Sequence, residues 1–482
     1  MKRSNFLSLR SPSVQALWFA WSLGIISSLL WTASCGSEVQ STRTSGSQGE
    51  LRQRPAVVEE AEEVVSEDVR AEETPFLAME TGSPPRSRVA SNGKLPFWPR
   101  FHGPNFDNKS PDTNLRKSWP PEGPPLKWKV TGIGEGYSSV TLADGRIFTA
   151  GNIDNRTVIT ALDLNGKILW QADNGPAWTG SYPGTRSTPT IDGPRVYDLS
   201  PLGQLTCFEA ATGKPLWTVN ILERFRARNI TWALAESVLI DGDRVICSPG
   251  GPVASVVALN KFTGDLVWTA ASTGDLAGYA SPSIGEFAGR RIIFTMLAKA
   301  VIGVDADRGE LLFRHEHVTS WDVNVLMPIY YQGCLFVSSG YGTGAKLLQL
   351  VPKGKNVDVK LLWHERLLDN HHGGVLLLDG YLYGSNHRGR WVCLNWATGE
   401  VMYQAAGVGK GSLTYADGMF FVLSERGEVG LVEADPRAHH VISQFRLPPG
   451  GSGPSWAHPV VIGGTLYIRH GDVLYAYDVR GS

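Results

Sequence analysis

The stretch ALDLNGKILW, residues 161–170, decides the fold because the chain repeats it. It returns as CFEAATGKPLW at 207–217 and as ALNKFTGDLVW at 258–268. In each copy an apolar run leads into a turn containing Asn-Gly or Thr-Gly, and a second apolar run ends in tryptophan. Because Gly and Asn tolerate the positive φ angles of tight hairpins at little steric cost, each copy predicts two antiparallel strands.

A second hairpin precedes each copy, so the repeating unit has four strands. This hairpin turns across Asp-Gly in SSVTLADGRIFTAG (138–151), STPTIDGPRVYDLS (187–200) and GGVLLLDGYLYGSN (373–386). The runs between the turns are rich in Val, Ile, Leu and Tyr, as strands are. The fifth unit, 324–363, is degraded, and the eighth, 458–478, stops after three strands.

Each unit ends in a large aromatic residue, and successive aromatics lie about 40 to 50 residues apart. This spacing is typical of one propeller blade. A single blade leaves both faces uncovered, whereas blades in a ring cover one another, and a large aromatic suits the gap between them. We expect these side chains to dock the blades: Trp128, Trp170, Trp217, Trp268, Phe313, Trp363, Tyr403 and Phe445.

The two ends of the repeat region are expected to close the ring. The eighth unit lacks its aromatic fourth strand, and PLKWKV (125–130) supplies such a strand just before the first unit. Pairing the two ends removes exposed strand edges. The sequence therefore predicts an all-β, eight-bladed β-propeller of four-stranded antiparallel blades, closed by an N-terminal strand that completes the last blade.

The N-terminal region is predicted to be separate from the propeller. Residues 1–35 combine a basic start, the apolar run 14–31 and small residues, as in an export signal. Cys35 follows small residues as in a bacterial lipoprotein, although Thr32 stands where Leu is usual. Lipidation at Cys35, an uncleaved anchor and simple cleavage all remain open, and each predicts an extracytoplasmic protein in the periplasm or at the outer membrane.

Residues 36–95 are acidic and poor in aromatics, which predicts a disordered linker, and 96–482 form the propeller. The chain has 45 Lys and Arg against 46 Asp and Glu, for a net charge of −1. A balanced charge argues against nucleic-acid binding. The remaining cysteines form no C-x-x-C pair, so neither zinc nor another metal site is expected. The body is expected to be monomeric, with membrane contact only through a lipid or the N-terminal anchor.

The residues just before each first strand are expected to converge on the ring axis, where they vary from unit to unit. Aromatic residues with a few polar groups are typical of a ligand pocket, although the same side chains also suit a purely structural cover of the channel mouth. Adjacent residues on a strand point to opposite faces, so His371 and His372 are expected to diverge. The candidate funnel residues are Tyr137, Arg186, Trp232, Glu236, Trp321, Asn324, His371, His372, Trp456 and His458.

The repeated A-x-D-x-x-T-G-x-x-x-W pattern resembles the pyrroloquinoline quinone (PQQ) repeat family of eight-bladed propellers. The lead-in FWPRFHGPNFDN (97–108) looks like that of secreted propellers of this class from planctomycete-type bacteria. The family also contains the lipoprotein scaffold of the outer-membrane β-barrel assembly machinery. The resemblance implies the fold, whereas the function depends on the site.

In the dehydrogenases of this family the quinone lies between a Trp and a ring of two adjacent bonded cysteines, with calcium held by Glu, Asn and Asp. This chain has no adjacent cysteines and no D-x-[DN]-x-[DN]-G loop. We therefore expect a non-enzymatic binding or scaffold module without a cofactor, serving an envelope protein partner or a small ligand at the funnel. The alternative is a PQQ- and calcium-dependent alcohol dehydrogenase. A third possibility is a carbohydrate or polymer binder that stacks on Trp232, Trp321 and Trp456.

Overall fold

The structure, a computed structural model, describes residues 95–481. The expectations for the export signal, for Cys35 and for the linker up to residue 94 lie outside the described residues. Within the described part no helix has both the length and the apolar character needed to span a membrane.

The described chain folds into eight four-stranded antiparallel sheets, which confirms the predicted fold class. The first four blades contain β2 (Thr141–Ala143), β3 (Arg146–Ile153), β4 (Arg156–Asp163), β5 (Ile168–Pro176); β6 (Thr190–Asp192), β7 (Arg195–Leu199), β8 (Gln204–Glu209), β9 (Pro215–Asn220); β10 (Leu239–Asp241), β11 (Arg244–Cys247), β12 (Val257–Asn260), β13 (Leu266–Thr269); β14 (Ser283–Phe287), β15 (Arg290–Met296), β16 (Ala300–Asp305) and β17 (Leu311–Glu316).

The last four blades contain β18 (Ile329–Tyr331), β19 (Cys334–Ser339), β20 (Gly344–Lys353), β21 (Asn356–Glu365); β22 (Val375–Leu378), β23 (Tyr381–Ser385), β24 (Trp391–Asn395), β25 (Val401–Ala405); β26 (Gly411–Ala416), β27 (Met419–Ser424), β28 (Glu428–Glu433), β29 (Val441–Arg446); β30 (Val460–Ile462), β31 (Thr465–His470), β32 (Val473–Asp478) and β1 (Leu126–Val130). The degraded fifth unit therefore still forms a complete blade. The helical segments of residues 95–481 are the short helix α1 (Ile221–Arg224) and a 3-10 turn (Ser320–Asp322), and both lie in connections between blades.

The ring is closed by the N-terminal strand, as the sequence predicts. Strand β1 pairs antiparallel with β32, the third strand of blade 8, and Trp128 lies opposite Ala476. The indole nitrogen of Trp128 then donates a hydrogen bond of 2.9 Å to the carbonyl of Leu164 in blade 1. One segment thus completes the last sheet and also docks it on the first.

The same docking contact explains why each repeat has both a glycine in its turn and a tryptophan at its end: the tryptophan of one blade packs on the turn glycine of the next. Trp170 of blade 1 donates to the carbonyl of Ala210 in blade 2, and Trp217 donates to that of Lys261 in blade 3. Each indole lies against the turn of the next blade. At Gly213 (φ +75°) an added Cβ would lie 2.5 Å from the Trp170 ring, so this turn requires both the left-handed backbone and the missing side chain.

The segment before β1 crosses one face of the ring and closes its central channel. Trp98 exchanges two backbone hydrogen bonds with Leu142 in β2, the first strand of blade 1. Phe106 packs against the apolar cluster between blades 3 and 4, and the amide of Asn108 reaches the carbonyl of Leu413 in blade 7. Trp98 is only 1% exposed. This segment therefore closes one end of the channel, and we call it the floor segment (residues 97–112).

Candidate functional site

A cavity of about 410 Å³ lies on the ring axis, at the face opposite the floor segment. All eight blades contribute to it through their connecting loops, and its wall is mainly aromatic. The lining residues are Phe101, Tyr137, Tyr182, Arg186, Trp232, Ala235, Ser237, Tyr279, Ser281, Val323, Val325, Tyr341, His371, His372, His387, Lys410, Glu425, Trp456 and His458. We call this space the axial cavity.

The structure brings seven of the ten candidate funnel residues to the axial cavity. They are Tyr137, Arg186, Trp232, His371, His372, Trp456 and His458. The expectation that His371 and His372 diverge was wrong, since both line the cavity with ring centroids 5.1 Å apart. Strand β22 begins only at Val375, so the two histidines lie in a bend, where side chains need not alternate.

The other three candidates lie outside the cavity lining. The Asn324 amide is fully buried and donates to the carbonyls of Leu297, Ala298 and His317, so it ties loops together. Glu236 is buried behind the wall. Trp321 is 73% exposed on the 3-10 turn, with φ at +64°.

Several cavity residues were not predicted from the sequence, because they occupy a second class of loop. Tyr341, His387 and Glu425 lie in turns between the second and third strands of blades 5, 6 and 7. In a propeller these turns reach the same face as the connections before each first strand. Lys410 immediately precedes β26, in the class of connection that is expected to reach the axis, but it is not among the ten candidate residues. The floor residue Phe101 and the wall residues Tyr182 and Tyr279 were also missed.

Glu425 is the carboxylate of the cavity and is held by three donors. His372 Nε2 donates to its Oε1 at 2.6 Å, Trp456 Nε1 donates at 2.8 Å, and Lys410 Nζ lies at 3.3 Å. Burial by itself raises the pKa of Glu425, but the hydrogen bond from His372, the Lys410 charge and the Trp456 hydrogen bond together hold its pKa well below the usual value. Glu425 is therefore ionised, and all three of these contacts are made by its Oε1.

Lys410 links Glu425 to a second polar group. Its ammonium donates to Nδ1 of His371 at 2.8 Å, and His371 Nε2 lies 3.4 Å from the hydroxyl of Tyr341. Burial, together with His372 and the Lys410 charge, lowers the pKa of His371 to about 2. Burial likewise lowers the pKa of His372. Both imidazoles are therefore neutral near pH 7. The polar groups on this side of the cavity are linked to one another, although the Nδ1 atoms of His372 and His387 are buried without a hydrogen-bond partner among the described residues.

The floor of the cavity carries a buried pair of histidines. His102 Nε2 lies 3.1 Å from Nδ1 of His458, and His458 Nε2 donates to the carbonyl of His372 at 2.8 Å. His458 Nδ1 is then the acceptor from His102. Burial lowers the pKa of His458 to about 4 and that of His102 well below its usual value. The neutral His102 and His458 thus connect the floor segment to the cavity wall at His372 through hydrogen bonds.

The opposite side of the cavity contains a second cation, Arg186. Its Nη2 donates to the carbonyl of Tyr182 at 2.7 Å and its Nη1 to that of Gly184 at 3.3 Å. The guanidinium lies 5.4 Å above the ring of Tyr137, and burial lowers its pKa. Trp456 stands next to this ring, with centroids 4.9 Å apart. This half of the cavity thus combines a cation with flat apolar walls.

The residues present do not fit the calcium ion that accompanies the quinone in dehydrogenases of this fold. Calcium takes six to eight oxygen ligands, mostly from carboxylates and carbonyls. The cavity offers the single carboxylate of Glu425, whose Oε1 already accepts hydrogen bonds from His372 and Trp456. Within residues 95–481 no group of three or more His, Cys, Asp or Glu side chains is placed to hold a metal. The four described cysteines, Cys207, Cys247, Cys334 and Cys393, are buried and unpaired.

Comparison with known proteins gives one family and several structural relatives. The family model described as outer membrane protein assembly factor BamB matches residues 154–405. No curated protein matches the sequence significantly. Among solved structures, BamB from Moraxella catarrhalis is 16% identical, with a TM-score of 0.51, and the match covers 73% of this chain and 97% of that one.

Two dehydrogenases have the same fold. The quinohemoprotein alcohol dehydrogenase from Comamonas testosteroni is 13% identical with a TM-score of 0.58, and the match covers 82% of each chain. A europium-containing methanol dehydrogenase is 12% identical with a TM-score of 0.53, covering 72% of this chain and 85% of that one. At such identities the likeness concerns the fold alone.

Proposed function

Because this chain belongs to the PQQ-like repeat propeller family whose model is described as outer membrane protein assembly factor BamB, we propose that it is a non-enzymatic binding module of the cell envelope. Its binding site is the axial cavity, which receives a small ligand or a protruding group of a partner. The export signal predicted in residues 1–35 and the family description support the extracytoplasmic location.

The observation that carries this proposal is the state of the cavity's polar groups. A general base works best when its pKa lies near the working pH. Here burial lowers the pKa of His371 and His458, and three donors engage Glu425. The walls are aromatic and the floor is closed by Phe101. Such a space is suited to holding a group and poorly suited to moving protons.

The mouth of the cavity supports recognition of a partner from the envelope. Tyr182 lines the cavity and is 49% exposed, so it contacts both the interior and the solvent. Trp321 is exposed two residues before the lining residue Val323. Tyr and Trp side chains, which have an apolar ring and a polar group that can face solvent, are enriched at protein interfaces.

Photo-cross-linking in intact cell envelopes tests the proposal. A benzophenone amino acid replaces Tyr182 at the mouth or, as a matched control, Phe262, which is 43% exposed on a distant turn of blade 3. We expect a covalent adduct from position 182 and none from 262. The variant Ala235→Trp, which fills the cavity, should abolish the adduct, whereas Ala271→Trp on the exposed surface should preserve it. If no adduct forms from position 182, or if Ala235→Trp leaves the adduct unchanged, the proposal is contradicted.

The alternative is a PQQ- and calcium-dependent dehydrogenase, an activity that occurs on the same fold. Purified protein incubated with PQQ and calcium provides the test. Appearance of the quinone absorption band together with dye-linked alcohol oxidation would establish the enzyme and overturn the non-enzymatic module. We expect neither, because the donor set does not fit calcium.

A further inference from the structure

Outside the axial cavity, its rim carries a row of exposed arginines on three adjacent blades. One follows β21, two lie in the turn between β23 and β24, and one lies in the turn between β27 and β28. Within residues 95–481 none of their guanidinium groups forms an ion pair or a hydrogen bond. We call this row the arginine arc: Arg366, Arg388, Arg390 and Arg426.

The loops that carry the arc contact one another, so the arginines share one continuous surface. The side-chain amide of Asn386 donates a hydrogen bond of 3.0 Å to the carbonyl of Leu367, which joins the first loop to the second. An added Cβ at Gly389 would lie 3.2 Å from the backbone nitrogen of Lys410. The carbonyl of Lys410 in turn accepts a hydrogen bond of 2.8 Å from the backbone nitrogen of Glu425, in the third loop.

An exposed tryptophan lies at one end of the arc. Trp321 is 73% exposed in the connection between blades 4 and 5. Its loop meets the turn between β19 and β20 through a hydrogen bond of 3.0 Å from the hydroxyl of Thr343 to that of Thr319. In that turn the backbone nitrogen of Gly342 donates at 2.8 Å to the carboxylate of Asp369, in the loop that follows β21. Trp321 and the arc therefore belong to the same rim.

The backbone holds Trp321 outward. Trp321 and the next residue, Asp322, have φ angles of +64° and +57°, in the left-handed region that residues with a Cβ rarely adopt. Such backbone persists where the surroundings impose it. Here the nearby Asn324 is buried and its amide donates to three backbone carbonyls. Trp321 thus leaves most of its apolar surface in water, and burial of that surface by a partner is favourable.

The residue types of this rim indicate the kind of partner. Trp and Arg are enriched among the residues that contribute most of the binding energy at protein interfaces. The planar fork of a guanidinium matches the two oxygens of a carboxylate, which an ammonium does not. Leu367, which is 41% exposed beside Arg366, adds apolar surface to the arc. Such a rim matches a protein segment that is rich in Asp and Glu and also carries apolar side chains.

The rest of the same face argues against an anionic membrane as the partner. Glu135 and Asp154 of blade 1 are exposed there, across the ring from the arc. A flat anionic surface would meet these carboxylates as well as the arginines, and like charges repel. Resting on the proposed binding function, we propose that the arginine arc and Trp321 form a docking surface for an acidic segment of the partner protein, with Trp321 packed on its apolar side chains.

Fluorescence anisotropy with labelled peptides tests this inference. The peptide EDLEEDLEED represents the segment, QNLQQNLQQN removes its charge, and EDAEEDAEED removes its large apolar side chains. One exposed ion pair changes affinity by up to about fivefold, and the arc offers several. At low ionic strength we expect EDLEEDLEED to bind at least about tenfold more tightly than QNLQQNLQQN, and more tightly than EDAEEDAEED. Vesicles of phosphatidylglycerol should not bind.

Variants assign the binding to this rim. The double variant Arg388→Gln/Arg390→Gln should weaken EDLEEDLEED by about fivefold or more, and Trp321→Ala should weaken it by about tenfold or more. Lys214→Gln/Arg308→Gln is the matched control, because it removes the same charge from exposed turns between third and fourth strands, on the opposite face. Its affinity should equal that of the wild type. Thermal unfolding of each variant confirms that the fold is intact.

The outcomes separate this inference from the function on which it rests. In intact envelopes, Arg388→Gln/Arg390→Gln should reduce the adduct from position 182, and the control pair should not. If the adduct is unchanged, or if EDLEEDLEED and QNLQQNLQQN bind equally, the inference is overturned and the binding function stands. Vesicle binding that the double variant abolishes would assign the arc to lipid and also overturn the inference. If no adduct forms at all, the proposed function falls, and the peptide affinities still decide whether the arc binds acidic segments.

Discussion

Glu236 is expected to make the stability of this propeller depend on pH in an unusual direction. The carboxyl is 3% exposed, its Oε2 accepts one hydrogen bond of 3.1 Å from the backbone nitrogen of Ser248, and its Oε1 has no partner among the described residues. Burial raises its pKa from the ordinary 4.5 to about 8. The substitution Glu236→Gln keeps the shape and removes the titration.

The sign follows from proton linkage. Between pH 4.5 and about 8 the folded protein keeps the proton on Glu236 while the unfolded chain has lost it. The free energy of unfolding therefore falls as pH rises, by about 1.4 kcal/mol per pH unit for one such group. The buried histidines, whose pKa values are lowered, act in the opposite direction at acidic pH, but they are the same in both proteins and cancel in the difference.

Urea unfolding of wild type and Glu236→Gln at several pH values measures that difference. From about pH 5.5 to 7.5 the variant should gain about 2.5 kcal/mol relative to the wild type. Asp198, which lines no part of the cavity and whose pKa burial raises to about 7, provides a parallel case through Asp198→Asn. If wild type and Glu236→Gln show parallel pH profiles, the carboxyl is not buried as described and the reasoning is refuted.

Two further changes test the packing of the ring. Gly213→Ala places a Cβ against Trp170, whereas Gly193→Ala meets nothing within 4 Å at a similarly positive φ. The first should therefore lower the free energy of unfolding, measured in urea, by at least about 1 kcal/mol more than the second. Equal costs would mean that the glycine is needed only for its backbone. Trp98→Ala in the floor segment should cost about 3 to 5 kcal/mol of unfolding free energy, and Phe97→Ala, at a residue 44% exposed, should change it by less than about 0.5 kcal/mol. A stable Trp98→Ala protein would show that the floor segment does not contribute to the fold.

The fold was predictable because its determinants are local and repeated. Each hairpin carries its own turn residues, and each closing aromatic, such as Trp170, marks one blade. Even the ring closure was visible, since the missing strand of the eighth unit has its counterpart around Trp128. The floor segment was not predicted, because it occurs once and its partners, such as Leu142 and Leu413, are ordinary strand residues.

The candidate site was predictable only in part, for a physical reason. Loops before each first strand converge on the axis by topology, and this placed Tyr137 and Trp456 correctly at the cavity. Glu425 lies in a turn that resembles any other polar turn, and only its three donors distinguish it. Asn324 lies in the predicted class of loop but does not line the cavity. Its side-chain amide instead donates hydrogen bonds to the backbone carbonyls of Leu297 and His317.

The most direct test of the central claim is native mass spectrometry of the protein purified gently from its own envelope. If the axial cavity is the binding site, the wild type and the surface variant Ala271→Trp should each carry an additional non-covalent mass that Ala235→Trp lacks. The same additional mass on wild type and Ala235→Trp, or no additional mass on either, would contradict the claim.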